Sequence, residues 1–275
     1  MSAPRTPLGR LGRVVHWAFT LAVLAFLVAP ILAIVPLSFS AGSFLHYPLP
    51  GLSLQWYREF FGSPFWIDSV VNSLIIGAGA TALATTLGTL AAFGLWLARL
   101  PGRGVVVAVL IAPMVVPSVV AAVGLLFAYA PVGLANSHAG MILAHTALAA
   151  PFVVVTVSAT LSGFDRTLLR AAAACGAGPA TAFRRVVLPL IAPGVAAGAL
   201  FAFAISLDEV VVALFLAGPG QRTLPRQMFA GLNDNLSLAI AAAATILIAL
   251  SILLMASVGW LRGRAARLAA RTGQP

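Results

Sequence analysis

Charge is scarce in this sequence. Asp, Glu, Lys and Arg together make up 8% of its 275 residues, against about 25% in a soluble domain. That excludes an ordinary soluble chain. Lysine is absent, so all sixteen basic residues are arginines, and only six residues are acidic. The single cysteine, Cys175, excludes an internal disulfide. The four histidines, His16, His46, His138 and His145, are scattered with no Cys or carboxylate at ligand spacing, which excludes a metal cluster. No nucleophile–base–acid set is present. The Gly-rich run Gly77–Thr81 lacks the Lys of a phosphate loop. The chain is therefore expected to be no enzyme and to bind no metal or cofactor.

Long apolar runs take the place of charge. Val14 to Phe39 far exceeds the core of a signal peptide, about 7–15 residues. It passes the roughly 20 residues that cross a bilayer. It is expected to be a first, uncleaved span, kinked or ended by Pro30 and Pro36. Residues 40–68 mix Gly, Ser, Pro and aromatics, among them Trp56, Tyr57, Phe60, Phe61 and Trp66. They fit an interfacial segment with a surface helix over Gln55–Phe61. Ser69 to Ala98 makes a second span. Gly104 to Phe164 holds no charged residue, and the break from Pro131 to Gly140 divides it into two. The first of these, with Pro113 and Pro117, is expected to be bent or locally unwound. A fifth span is expected from about Gly194 to Leu216 and a sixth from Leu236 to Leu261.

The arginines orient these six spans. Arg5, Arg10, Arg13, Arg99, Arg103, Arg166, Arg170, Arg184, Arg185, Arg262, Arg264, Arg267 and Arg271 fall on one side; Arg58, Arg222 and Arg226 fall on the other. Positive charge collects in the cytoplasm, so both termini and the loop at 165–193 are expected there. Arginines at the ends of apolar runs explain the net charge of +10 by topology, and no nucleic-acid partner is expected. The organisation is then a cytoplasmic N-terminus over 1–13, and a first span with an extracytoplasmic interfacial segment over 14–66. A transmembrane domain follows over 67–261, with its cytoplasmic loop at 165–193, and a basic tail over 262–275.

The loop carries the sharpest pattern. From Leu169 it reads LRAAAACGAGPATAFRRVVLPLIAPG. Alanine favours a short helix, and Gly176, Gly178 and Pro179 break it. Phe183, Arg184 and Arg185 resume a basic segment, and Pro189 and Pro193 lead into the next span. A helix–break–helix on the basic side is a candidate docking surface for a soluble partner.

The spacing resembles the cytoplasmic signature loop of ABC importer permeases, the binding-protein-dependent transport system inner membrane components. That pattern reads Glu-Ala-Ala, three residues, Gly, nine residues, an aliphatic, one residue, Leu-Pro. Ala171 and Ala172 fill the Ala positions, Gly176 follows, and Val186, Leu188 and Pro189 fall in place. Arg170 stands where the pattern has Glu. WYREFF with Asn72-Ser73, LAHTALAAPFVVVTVSATL, and SLDEVVVALFLAGPG followed by TLP are similar to the same class. The last resembles the spermidine/putrescine branch and the second permease subunit of its pair.

The resemblance implies an all-α, integral-membrane, six-helix permease of the type I importer fold, in the bacterial inner membrane. It implies a sister permease, two ATPase subunits that use ATP and Mg, and an extracytoplasmic substrate-binding protein. Arg170, Ala171, Ala172, Gly176, Ala177, Phe183, Arg184, Leu188 and Pro189 would couple the chain to the ATPase. A small organic cation, putrescine or spermidine, would be the substrate. Another small solute is the alternative within the class. A secondary transporter or a membrane-embedded assembly protein is the alternative outside it.

Asp208 and Glu209, with Ser206 just before them, are acids inside the fifth span. An acid in the bilayer costs about 2.5–3.5 kcal/mol, so it faces a cavity or a partner. The three are candidates for the substrate pathway; an internal structural pair is the other reading. Neighbours on a helix point about 100° apart, so at most one of the two acids is expected to face the pathway squarely, the other contacting a neighbouring helix. His145 is expected to be a packed, hydrogen-bonded histidine. Asn72 and Asn136 are expected at helix ends or turns, and Arg222 and Arg226 are expected to be solvated.

Overall fold

The computed structural model describes residues 7–44, 46–98, 101–234 and 237–271. Arg5, Arg99 and Leu236, with the rest of residues 1–6 and 272–275, lie outside the described residues, as do the side chains of Arg10, Arg262, Arg264, Arg267 and Arg271. The described residues are mostly helical. Among the described residues the only β contact is an isolated bridge between Ser40 and Leu52.

The chain divides into two units, residues 1–62 with 234–249, and residues 63–233 with 250–275. In the first, helix α1 (Pro7–Leu37) passes through Pro30 and ends one residue beyond Pro36. Its apolar stretch Gly12–Leu37 is long enough to span, and none of its most apolar window is buried in the chain. A helix that is apolar all round and uncovered belongs in lipid. Behind it, the Trp56 indole donates to the Ser40 carbonyl at 2.8 Å, and Ser38 and Tyr57 share a hydroxyl hydrogen bond at 2.8 Å. These contacts fold the expected interfacial segment onto helix α2 (Gln55–Gly62).

The second unit is built on three long helices, α3 (Pro64–Leu97), α6 (His138–Ser162) and α9 (Leu188–Asp208). Each packs on the other two. Their shared core is small-residue and aliphatic: Ala84, Ala92, Ala149, Val153, Val157, Ile191 and Ala202. Small residues let helix backbones close up, which is how helices gain packing energy where lipid removes the hydrophobic drive. Val153 of α6 sits between Gly88 of α3 and Gly198 of α9. A Cβ at Gly88 would stand 2.8 Å from the Val153 Cβ and 3.2 Å from the Ala150 carbonyl oxygen. Gly88→Ala is therefore expected to destabilise by about 1–3 kcal/mol, read as a lower thermal unfolding midpoint in detergent. Gly94→Ala, where a Cβ meets nothing within 4 Å, is the matched control. Equal midpoints would remove the crossing as a tight contact.

The third span is bent as expected, and the fifth differs from expectation. The third is two short helices, α4 (Arg103–Ile111) and α5 (Ser118–Tyr129), bent by 100° at the break between them. Pro113 lacks an N–H, and Pro117 disfavours helical backbone at the residue before it and is itself extended, with φ −55 and ψ 132. The fifth begins well before Gly194. Helix α8 (Pro179–Ala182), a π turn at Phe183–Val187 and α9 form one run from Pro179 to Asp208. A π turn directly before Pro189 widens the backbone where the ring would strike the carbonyl four residues back. Pro193 lies inside α9 without ending it. Helix α12 (Ala239–Arg271) covers the expected sixth span from its fourth residue on. Among the described residues four helices, or five with the bent pair counted once, are long and apolar enough to cross; Ala239–Leu254 is a shorter apolar helix.

Candidate functional site

The loop between α6 and α9 gets its shape from local chemistry. Asp165 opens it: Oδ1 accepts from the Thr167 amide at 2.8 Å and Oδ2 from the Thr167 hydroxyl at 2.5 Å. These bonds, with the nearby Arg170 charge, hold the exposed carboxyl below its ordinary range. Helix α7 (Thr167–Ala174) follows. It closes with the Gly176 amide donating to Ala173 at 2.9 Å and the Ala177 amide to Ala172 at 3.0 Å. Gly176 has φ +80, the left-handed conformation that this helix stop requires and that glycine adopts without strain.

Aromatic residues clamp the loop to the end of α3. The Arg166 guanidinium donates to the Trp96 carbonyl and lies 4.5 Å from the centroid of its ring. Phe164 meets Trp96 edge-on at 5.5 Å, and Phe183 packs on Phe93 at 4.8 Å. A cation at the last carbonyls of a helix also complements its dipole. Arg166 is thus a fastener. No spacing pattern links it to Trp96, seventy residues earlier; only the aromatics clustered at the run's end hint at it.

On this frame Arg170, Ala171, Gly176, Arg184 and Pro189 are exposed, whereas Ala172, Ala177, Phe183 and Leu188 are half-buried. The nine residues form one continuous feature: an exposed short helix, a left-handed stop, and the first turns of a long helix. The free thiol of Cys175 is exposed beside Gly176.

The acids at the other end of α9 do not share a helix. Asp208 is the last residue of α9. Glu209 turns extended, and helix α10 (Val211–Leu216) starts two residues later. Glu209 Oε1 accepts from the Val212 amide at 2.8 Å, so its carboxylate caps the new helix. Asp208 is exposed, with no hydrogen bond or ion pair among the described residues. The expected 100° separation on one helix gives way to a break, and the two acids have separate surroundings. Ser206 is buried, 2.8 Å from the Nδ1 of buried His145. It ties α6 to α9 and makes His145 the packed residue expected. The exposed C-terminus of α9 carries the negative end of its dipole. Asp208 adds a full charge there, and a broken helix of this kind suits a cation.

Polar residues fasten the elements beyond this break. The Asn72 amide donates to the carbonyls of Gly220 and Arg222 at 3.0 and 3.1 Å, and its oxygen lies 2.8 Å from His138 Nε2. Asn72 is a cross-tie within the structure, not a helix end. Asn136 is a turn residue, with φ 57. Arg226 differs from expectation. It is half-buried in helix α11 (Leu224–Asp234) and donates to the carbonyls of Ala217 and Gly218, closing the end of α10. Burial, and then the charge of Arg222, lowers its pKa from the ordinary arginine value.

Residues 84–267 match the family model described as binding-protein-dependent transport system inner membrane component. The chain is 36% identical over 238 residues to the spermidine/putrescine transport system permease protein PotC of Haemophilus influenzae, covering 86% of this chain and 92% of that one. It is 34% identical over 245 residues to the putrescine transport system permease protein PotI of Escherichia coli K12, covering 84% and 85%. A solved bacterial alginate ABC transporter, in complex with an alginate pentasaccharide-bound periplasmic protein, matches with a TM-score of 0.70 at 17% identity, over 96% of this chain and 98% of that one.

Proposed function

Since the chain belongs to the family of binding-protein-dependent transport system inner membrane components, we propose that it is one permease of an importer for a small organic cation, putrescine or spermidine. It forms half of the pathway, with a sister permease forming the other half. Two separate ATPase subunits hydrolyse ATP with Mg, and a soluble protein outside the membrane delivers substrate. Both termini and the 165–193 loop face the cytoplasm, in keeping with the arginine split.

The observation that carries this reading is the junction of α7 with α9. An exposed helix with a defined stop is fastened to a membrane helix whose far end bears an unpaired carboxylate. A push on α7 would pass along that helix to Asp208. The likeness to PotC and PotI, named for spermidine and putrescine, supports an amine as cargo. An exposed carboxylate at a helix C-terminus is chemistry that an ammonium group satisfies.

The test is transport by the intact importer. The tagged chain is purified with the proteins that accompany it and reconstituted in proteoliposomes. Uptake of labelled putrescine and spermidine should require ATP and the binding protein. ATP-dependent uptake of a different solute, with neither amine carried, would overturn the substrate. Uptake driven by an ion gradient without an ATPase would overturn the importer itself.

A further inference from the structure

The charges of the loop sort by what they touch. Residues 165–193 hold four arginines and one acid, Asp165. Thr167 occupies both oxygens of that acid, and Arg166 is turned onto Trp96. Arg170, Arg184 and Arg185 are left exposed, and their guanidinium groups make no hydrogen bond or ion pair among the described residues, although Arg170 lies near enough to Asp165 to act on its charge. Arg170 rises from α7, and Arg184 and Arg185 from the π turn against which α7 packs. The surface offered to a partner therefore carries three guanidinium groups and no unengaged carboxylate. Ala171, Ala173 and Ala174 are exposed beside Arg170. Methyl side chains of this size let a partner come close, where opposite charges attract strongly and like charges repel.

We propose that the groove receiving α7 on this importer's ATPase is acidic, with a carboxylate set against Arg170, and that this charge pairing selects the matching ATPase. The inference rests on the function proposed above and adds the chemistry of the partner's surface. Guanidinium forks suit carboxylates in two-bond pairs. A membrane surface is the other acidic partner to consider. Leu168 is the only large apolar side chain exposed on α7, so the helix lacks the apolar face that lies in a headgroup layer.

The experiment uses the whole importer in nanodiscs of phosphatidylcholine. The binding of the ATPase that co-purifies with the wild-type chain is measured at rising salt. Wild-type affinity should fall steeply with salt, because exposed charges are screened. Arg170→Glu should weaken binding by about tenfold or more, and Arg170→Ala by less. Reversing a groove carboxylate of the ATPase to Arg should restore binding to Arg170→Glu. Salt-independent binding, or Arg170→Glu binding as tightly as wild type, would overturn the proposal. So would a defect that appears only when phosphatidylglycerol replaces phosphatidylcholine, which would assign the arginines to lipid. If no ATPase accompanies the wild-type chain even at low salt, the function proposed above fails and this inference goes with it.

Discussion

Asp208→Asn is expected to cut uptake of a cationic substrate by about tenfold or more, while the chain still assembles with its partners. The change keeps size and polarity and removes the charge. A hydrogen bond to a charged group is worth about 1.5–3 kcal/mol, so the lower end of that range already gives the tenfold loss. Asp208 sits at the exposed negative end of α9 and has no partner of its own, so the loss should fall on substrate rather than on folding. Glu209→Gln should have the smaller effect, because an amide oxygen can still accept from the Val212 amide. Paired uptake and pull-down assays compare the two. Unchanged uptake in both variants would make the acids structural, leaving the polyamine assignment to rest on likeness to PotC and PotI.

Gly176→Asp is expected to uncouple the importer, lowering transport about tenfold or more while the protein remains in the membrane. The position is left-handed, at φ +80. An L side chain pays about 1–2 kcal/mol there. A Cβ would meet nothing within 4 Å, so the strain is conformational and the side chain projects outward. An aspartate would also bring negative charge to a surface read here as docking on an acidic groove. Gly176→Asn separates the two effects, since Asn tolerates this conformation better than most residues and is neutral. Its loss should be the smaller one. ATP-driven uptake and ATPase retention, measured together, check both variants; normal transport by Gly176→Asp with the ATPase still bound would contradict docking through α7.

The parts of this fold set by local chemistry were legible. Gly176, Gly178 and Pro179 mark the end of α7 because turn conformations exclude most residues, and the long apolar runs mark the membrane segments. The sequence pattern starts the fifth span at Gly194, whereas the helical run starts at Pro179. Leu188-Pro189 and Pro193 look like breakers, yet the π turn accommodates the first proline and α9 absorbs the second. Periodicity puts Glu209 on the same helix as Asp208, because it cannot show a side chain bonding a backbone amide three residues on. The Arg166–Trp96 contact and the Asn72 cross-tie join residues 70 and about 150 positions apart, and no pattern in the sequence connects them. Arg226 looked like a solvated loop charge because its acceptors are backbone carbonyls, which any sequence supplies.

The unbroken run from Pro179 to Asp208 sets a mechanical ratio. Thirty residues of helix make a rod about 45 Å long. α9 approaches α6 closely at Gly194 against Thr160 and at Gly198 against Val153, the natural place for it to pivot if it tilts. This is nearer the middle of the rod than either end, so the two arms are comparable. Tilting the rod by about 10° would swing its ends about 8 Å relative to each other across its length, in opposite senses about that crossing. A stroke of a few ångströms at Arg184 would thus emerge as a similar stroke, reversed in direction, at Asp208. A stiff beam on a central pivot neither amplifies nor damps; it inverts, so such a tilt would close one face as it opened the other.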